Sequence, residues 1–278
     1  MIRLMTPRDI PGAMRLKEAA GWSQSSEAWA RLLALEPEGC LVDERDGIVA
    51  GTTTAVCYGS ELAWIGMVLV APEYRRQGIA RGLMEFALDW LKQKRVRCVK
   101  LDATDQGRPL YLDLGFIDEC PIERWARDPA GEQTLGGFEI AAPGLLHIED
   151  ETLDRAAFGV ARDHVISSLL EPQDGDCFST PDGFLLGRKG SAARFLGPCV
   201  AAGERSAAGL ISTFLARHSA EAVFWDLLPA NVSARRLASS FGFESRRRLM
   251  RMLLEGGEST LSIEHPEYVY ATVGFEFG

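Results

Sequence analysis

The stretch WIGMVLVAPEYRRQGIA, residues 64–80, decides the fold of this chain. An apolar run over residues 65–71 ends at Pro72, which indicates a buried strand. A basic turn follows it. Apolar residues then recur at the spacing of one helix face, at Ile79, Leu83, Phe86, Ala87, Trp90 and Leu91. The stretch therefore predicts a strand, a glycine turn and a helix in succession.

The turn has the composition of a phosphate-binding site. The first turn of a helix has unpaired backbone N–H groups and lies at the positive end of the helix dipole. Gly78 lets the backbone approach an anion closely, and Arg75 and Arg76 add positive charge. We expect this turn to hold the phosphates of a ligand.

Length and composition bound the class of protein. The chain has 278 residues, enough for about two domains, and its 46% hydrophobic and 25% charged residues are ordinary for a globular protein. A net charge of −9 argues against nucleic acid or a membrane as the partner and suits a small phosphorylated ligand better. The first residues do not resemble a signal peptide, and no apolar run reaches the length of a membrane helix. We expect a cytoplasmic protein.

The cysteines give no sign of a metal site. They are scattered, without a CxxC pair or a histidine at ligand spacing: Cys40, Cys57, Cys98, Cys120, Cys177 and Cys199. We expect reduced thiols that pack as small hydrophobic side chains, and no metal.

The second half of the sequence repeats the first. Ile65-Gly66 and Leu196-Gly197 lie 131 residues apart. Later pairs lie 127 residues apart: Thr104 and Asn231, Leu110 and Leu237, Gly115-Phe116 and Gly242-Phe243, Arg124 and Arg251. The second copy has therefore lost four residues between these points, most simply at the 75–80 turn, and it is predicted to begin with a helix over residues 153–170.

A second motif follows the phosphate turn. The pattern Arg75-x-x-Gly78-x-Ala80 is followed by Leu110-Tyr111-x-x-x-Gly115-Phe116, and the combination resembles the GCN5-related N-acetyltransferase (GNAT) superfamily. The resemblance implies an α/β (α+β) fold of two tandem GNAT-like domains, each with a mixed, mostly antiparallel twisted sheet flanked by helices. Residues 1–126 would be the acetyl-CoA-binding catalytic domain. A glycine-rich linker over residues 127–144 would lead to a degenerate domain over residues 145–278.

The resemblance also implies a role for each matching residue. A bulged strand would pair with the pantetheine of acetyl-CoA through Met67, Val68, Leu69 and Val70. The pyrophosphate would be wrapped by Arg75, Arg76, Gln77, Gly78, Ile79 and Ala80, and Thr104 stands where the family often has Asn. The backbone N–H of Val68 would be the oxyanion donor.

Tyr111 would be the general acid, because a phenol with a pKa of ~10 can protonate the departing thiolate. The alternative is an aromatic ring packed under Gly115-Phe116. Ala238 takes the matching position in the second copy, which we therefore expect to be catalytically silent.

Several assignments stay open on the sequence. The general base is Glu36 or Asp102, either of which could instead be a solvated or capping carboxylate. The arginines at residues 246–248 form a solvated strand edge or contact the 3′-phosphate of acetyl-CoA. The aromatic segment over residues 268–278 completes the second sheet or forms part of the acceptor pocket.

The resulting hypothesis is an N-acetyltransferase that moves an acetyl group from acetyl-CoA to a primary amine on a small molecule or peptide. A non-catalytic acyl-CoA sensor is the alternative, and a homodimer is left open.

Overall fold

The computed structural model describes residues 1–129, 142–143, 148–170, 175–255 and 265–278. The first half forms β1 (Ile2–Leu4), α1 (Ile10–Ala19), α2 (Ser26–Leu35), β2 (Cys40–Arg45), β3 (Ile48–Tyr58), β4 (Leu62–Val70), α3 (Ile79–Gln93), β5 (Cys98–Ala103), α4 (Arg108–Asp113) and β6 (Ile117–Arg127). The second half forms β7 (Ala142–Pro143), α5 (Ile148–Phe158), α6 (Asp163–Leu170), β8 (Asp176–Thr180), β9 (Gly183–Lys189), β10 (Arg194–Ala201), α7 (Glu204–Arg217), β11 (Val223–Leu227), α8 (Val232–Ser240) and β12 (Glu244–Glu255), followed by β13 (Val269–Ala271). The order of elements is the same in both halves, so the predicted repeat is confirmed.

Local sequence sets the bounds of the helices. The side chain of Ser25 accepts a hydrogen bond from the backbone of Ala28 and caps α2, which ends before Pro37. In α3 the buried face includes Leu83 and Ala87 as predicted. Phe86 is 46% exposed, so its predicted place on that face is wrong. It lies at the margin of the buried stripe, about a quarter-turn from the stripe's centre.

One predicted helix is two. We predicted a single helix over residues 153–170, whereas α5 ends at Phe158 and α6 begins at Asp163. Gly159 breaks the helix with a φ of +96°. Arg162 then donates from Nε and a terminal nitrogen to the carboxylate of Asp154 at 2.9 and 2.8 Å, which fixes the bend between the helices. The break reproduces the α1–α2 pair of the first half.

The described strands form one continuous sheet. Its order is β1-β2-β3-β4-β5-β12-β6-β11-β10-β9-β8-β7, with β13 paired to β10. Strand β12 pairs with β5 of the first half, and β6 pairs with β11 of the second. The halves therefore exchange their last strands. The predicted α/β class with mixed, mostly antiparallel pairing is confirmed. Hydrogen bonds between strands cross the domain boundary that we placed at residue 126. Most of the predicted linker, residues 127–144, lies outside the described residues.

Two matching ion pairs join the exchanged strands to the opposite half. Arg124 of β6 donates to the carboxylate of Asp226 at 2.7 and 2.5 Å. Its repeat partner, Arg251 of β12, donates to Asp102 at 2.9 and 3.2 Å. Each pair is two-pronged and buried, a geometry that favours one register over its neighbours. The sequence repeat had aligned the two arginines without revealing that each binds the other half.

The core is shared between the halves. Trp29 and Leu32 of α2 belong to one buried cluster with Val165 and Leu169 of α6. Arg31 also donates from Nε to the carbonyl oxygen of Ser168 at 2.9 Å. This face of the sheet is therefore covered by helices from both halves, whereas α3 packs on the opposite face of the first half over Leu83 and its neighbours.

All six cysteines lie in the described part of the chain, where they form no disulfide and are at least partly buried. Burial raises the pKa of Cys40 and of Cys57 to about 12 and that of Cys98 to about 11. These thiols are protonated at neutral pH and pack as hydrophobic groups, as predicted. Among the described residues, no helix is long and apolar enough to cross a membrane.

Candidate active site

A wedge opens between β4 and β5. The two strands pair in parallel only where residues 62–64 meet residues 98–100, and no ladder continues beyond them. On its other edge β4 shifts register against β3, because Thr52 faces Leu69 whereas Thr54 faces Gly66. Met67 lies in this bulge with a φ of +53°, so the bulge anticipated near residues 67–70 is present. The bulge bends β4 away from β5 and leaves backbone groups facing the gap.

Threonine hydroxyls of β3 stabilise the bulge by hydrogen bonds to the backbone of β4. Thr52 donates from Oγ1 to the carbonyl oxygen of Met67 at 2.8 Å, and Thr53 donates to that of Gly66 at 3.4 Å. All of these threonine atoms are buried, so the bonds are protected from water. The bulge is therefore a fixed platform, with Val68 on the wall of the cavity in front of it.

The phosphate turn has the predicted form. Arg76 has a φ of +61° and Gly78 a φ of +78°, and Gly78 is the cap of α3. The first amide to bond back along the helix is that of Gly82, which donates to the carbonyl oxygen of Gly78 at 2.9 Å. The amides of residues 79–81 have no helical carbonyl to bind, and they lie at the positive end of the dipole. The turn is a fitting cradle for a pyrophosphate.

The wedge and the turn border one cavity of about 990 Å³. Of the residues predicted to bind the cofactor, Gln77 does not border it; those that do are Met67, Val68, Leu69, Val70, Arg75, Arg76, Gly78, Ile79, Ala80 and Thr104. The structure thus brings together residues from β4, the turn, α3 and the end of β5.

Tyr111 reaches the same cavity from α4. Its ring packs edge-on against Phe116 with centroids 6.1 Å apart, as the packing alternative predicts. The same residue borders the cavity, so this packing is compatible with a catalytic role. Burial raises the pKa of the Tyr111 phenol above its usual range. The group is therefore a protonated phenol at neutral pH, as a general acid must be.

The side chain of Thr104 forms a hydrogen bond within its own loop. Its Oγ1 accepts a hydrogen bond from the backbone of Gly107 at 3.1 Å, at the entry to α4. Its repeat partner Asn231 likewise accepts from the backbone of Ala234 through Oδ1, and its Nδ2 also donates to backbone carbonyl oxygens. The position that differs from the family's usual Asn in the first half retains Asn in the second.

The two candidate bases occupy different places. Asp102 borders the cavity, but both of its oxygens accept hydrogen bonds from Arg251. Glu36 follows α2 beside Pro37 and is not among the residues that border the cavity. In the structure Asp102 is the counter-ion of a buried arginine.

The corresponding cleft of the second half is filled by the chain itself. Strands β10 and β11 pair over residues 194–196 and 223–225 and then separate, with a bulge after Leu196, as β4 and β5 do. Strand β13 lies in the gap, where Cys199 faces Ala271 and Thr272 donates its N–H to the carbonyl oxygen of Asp226 at 2.9 Å. The loop before α7 has two residues, 202–203, against the eight of 71–78 before α3, so the loop is shortened at the predicted place, by six residues rather than the predicted four.

The segment of residues 265–278 then crosses to the first half. Trp64 donates from Nε1 to the carbonyl oxygen of Phe275 at 3.1 Å, and Tyr58 donates its hydroxyl to that of Phe277 at 2.6 Å. A Cβ built on Gly66 would lie 2.9 Å from the Cα of Glu276, so the segment rests directly on the bulge. The segment adds a strand to the second sheet, as one alternative predicted, and it also borders the cavity at Phe275 and Glu276. That this part of the cavity receives the acceptor stays a prediction.

Sequence reasoning missed several residues of the cavity wall. Among them, Trp22 and Gln24 lie between α1 and α2. Arg247 and Arg248 of β12 also border the cavity, and the sequence had singled out residues 246–248 as a strand edge or a cofactor contact. Residues 246–248 form a strand edge as one alternative predicted, because β12 pairs with β6 there and meets β5 only from Met250 onward. The strand exchange brings these arginines to the cavity, and no local pattern reveals it.

A bulge-splayed strand pair, a phosphate turn and a buried phenol on one cavity define an acyl-CoA-dependent transferase fold. Residues 13–116 match the model of the acetyltransferase (GNAT) family, and residues 151–271 match that of an acetyltransferase (GNAT) domain. The chain belongs to the GNAT superfamily as a tandem member. No curated protein is significantly similar to it in sequence.

Solved structures share the whole architecture. A putative acetyltransferase from Pyrococcus horikoshii has 23% identity and a TM-score of 0.87 over 100% of this chain and 95% of its own. A GCN5-related N-acetyltransferase from Sphaerobacter thermophilus has 17% identity and a TM-score of 0.65, with 92% and 95% covered. A tandem GNAT protein from the clavulanic acid biosynthesis pathway has 14% identity and a TM-score of 0.64, with 94% and 99% covered. At these identities the likeness concerns the fold.

Proposed function

We propose that this protein is an N-acetyltransferase that moves the acetyl group of acetyl-CoA to a primary amine in the cavity of its first half. The proposal rests on one observation. The phosphate turn with Gly78 and the buried phenol of Tyr111 border the same cavity, and so does Met67 in the bulge of β4. A protein that only binds an acyl-CoA needs the turn, but it has no use for a phenol aimed into the same cavity.

The residues of the cavity suit the pyrophosphate and the pantetheine of acetyl-CoA. The amides at the start of α3 and the arginines of the turn suit the pyrophosphate. The unpaired edge of β4 at residues 67–70 suits the amides of the pantetheine, because backbone groups there have no neighbouring strand. When bound, acetyl-CoA supplies an activated acyl group as a thioester.

The chain's own groups then assist attack on that thioester. The N–H of Val68 stabilises the negative charge that develops on the carbonyl oxygen. The reaction forms a C–N bond and breaks the C–S bond. The amine loses one proton, and Tyr111 delivers one to the departing sulfur before recovering it from solvent.

The proton lost by the amine needs a second acceptor. Of the two predicted bases we retain Asp102, since it borders the cavity whereas Glu36 does not. Asp102 would act indirectly, because both of its oxygens are held by Arg251 and its side chain is fully buried.

The test is release of free CoA. Purified protein is incubated with acetyl-CoA and a panel of amino acids, polyamines, aminoglycosides and peptides, and thiol and acetylated product are measured together. We expect equal amounts of CoA and N-acetylated amine from at least one class of acceptor. Tight binding of acetyl-CoA without CoA release from any amine would overturn the proposal in favour of an acyl-CoA sensor.

A further inference from the structure

The cavity has an acceptor wall that is distinct from the cofactor groups. It is formed by Trp22 and Gln24 between α1 and α2, by Phe275 and Glu276 of the 265–278 segment, and by Arg247 of β12. These side chains come from three separate parts of the sequence. The chemistry of this wall restricts the kind of amine that can bind there.

Gln24 has an unused hydrogen-bond acceptor. Its side chain is almost fully buried, and its Nε2 donates to Oε2 of Glu276 at 3.1 Å. This orientation of the amide is required, because the reverse one would set two acceptor oxygens against each other. Oε1 of Gln24 is then buried without any partner in the described part of the chain. A ligand N–H group would satisfy it.

Glu276 adds a second acceptor beside it. The residue is 2% exposed, and a terminal nitrogen of Arg188 donates to its Oε1 at 3.1 Å. A carboxylate accepts about four hydrogen bonds, so these two donors leave capacity for others. A neutral primary amine has two N–H donors and one lone pair. Two neighbouring acceptors can therefore hold the amine while its lone pair stays free to attack.

Arg247 supplies an uncompensated positive charge on the same wall. Its guanidinium lies 5.7 Å from the centre of the Trp22 ring. Burial and the charge of Arg124 lower the pKa of Arg247, as expected where no anion faces it closely. Nearby buried arginines differ, because Arg124, Arg188 and Arg251 each bind a carboxylate. Within the described ranges Arg247 forms no ion pair, and only the more distant Asp226 offsets its charge, so the guanidinium of this partly buried residue is available to an anionic group in the cavity.

We propose that the acceptor is a small zwitterion of the amino-acid type, whose amine binds Gln24 and Glu276 and whose anionic group binds Arg247. The inference rests on the proposed function. It adds the requirement that one molecule carry both an amine and an anionic group.

Matched pairs of acceptors test the anionic requirement. Each pair consists of an α-amino acid and the amine formed by its decarboxylation, compared at equal concentrations of neutral amine. We expect kcat/KM to be at least about tenfold higher for the amino acid. Arg247→Met should remove the preference by raising KM for the amino acid alone. The control is Arg246→Met, since the Arg246 side chain is exposed and bound to Glu244, and it should retain the preference.

Gln24→Met tests the amine end. The substitution keeps the size of the side chain and removes both the free acceptor and the hydrogen bond to Glu276. KM should rise for both members of each pair while the affinity for acetyl-CoA is unchanged, and the lost buried hydrogen bond should lower the unfolding midpoint. Transfer to amines without preference for the anionic member would overturn the inference and leave the proposed function intact. So would a Gln24→Met enzyme with the KM of the parent. If no amine releases CoA, both are overturned.

Discussion

Asn231 donates from Nδ2 to the carbonyl oxygen of Val269 at 3.0 Å, and to that of Glu267 at 2.9 Å. Strand β13 thus lies in the gap between β10 and β11 of the second half. The corresponding gap in the first half, between β4 and β5, is the one that we assign to the cofactor. The same segment continues to Phe275 and Glu276 on the acceptor wall. The second half therefore anchors a segment that completes the site of the first.

The variant Asn231→Asp tests this anchor. An aspartate retains the oxygen that caps α8 through the amide of Ala234, but it loses both donors to the 265–278 segment. We expect faster amide hydrogen exchange over residues 269–277 and a higher KM for the acceptor, with unchanged affinity for acetyl-CoA. Exchange and KM like those of the parent protein would show that the segment needs no such anchor.

Tyr111→Phe tests the general acid. The ring packing against Phe116 is retained, and among the described contacts the hydroxyl has no hydrogen bond to lose. We expect kcat to fall by at least about tenfold with the dissociation constant for acetyl-CoA unchanged. Single-turnover rates and calorimetry measure the two quantities. A variant that turns over at the parental rate would remove Tyr111 from the mechanism.

The pH dependence follows from the burial of Tyr111. Because its pKa is raised above the ordinary value of ~10, the phenol remains protonated as the pH rises through that value. We expect kcat/KM to increase as the acceptor amine loses its proton and then to stay level up to about pH 10. A fall below pH 9 that disappears in Tyr111→Phe would contradict this, since it would mean that the phenol ionises early.

Asp102 and Asp226 form a matched pair for separating structure from catalysis. Each is the buried counter-ion of an exchanged-strand arginine, but only Asp102 borders the cavity. Either Asp→Asn change leaves a buried guanidinium uncompensated and should lower the free energy of unfolding by about 3–5 kcal/mol. Chemical denaturation measures this loss. If Asp102 is also the base, its variant loses much more turnover than the Asp226 variant; equal losses would leave it a structural role only.

Glu36→Gln completes the comparison of the candidate bases. Because Glu36 does not border the cavity, we expect turnover within twofold of the parent, an effect on the order of 0.4 kcal/mol in the barrier. A large loss of turnover, with unchanged stability, would restore Glu36 as the base.

The sequence predicts the cofactor half of the site because its signals are local. The apolar strand, the positive-φ glycine and the one-sided helix all fall within residues 64–91, where periodicity and turn chemistry are decisive. The repeat and the shortened second loop could be predicted because each half carries its own local motifs, which can be compared along the sequence.

The acceptor wall could not be predicted in this way. Gln24 and Glu276 are 252 residues apart, and Arg247 reaches the wall only because β12 is exchanged into the first half of the sheet. An apolar strand pattern indicates that a strand has buried faces, but it does not identify the strand's neighbour. Pairing of Arg124 with Asp226 and of Arg251 with Asp102 decides that choice, and such pairs are visible only in three dimensions.

Calorimetric titration with acetyl-CoA tests the central claim most directly. We predict one molecule bound per chain, since β13 fills the second cleft, and a loss of affinity of at least about tenfold in Gly78→Val, because a branched residue at a φ of +78° costs about 1–3 kcal/mol. The control is Gly47→Val, where φ is +76° in the hairpin between β2 and β3, and it should bind as the parent does. Two molecules bound per chain, or full binding by Gly78→Val, would contradict the assignment of a single acetyl-CoA site to the first half.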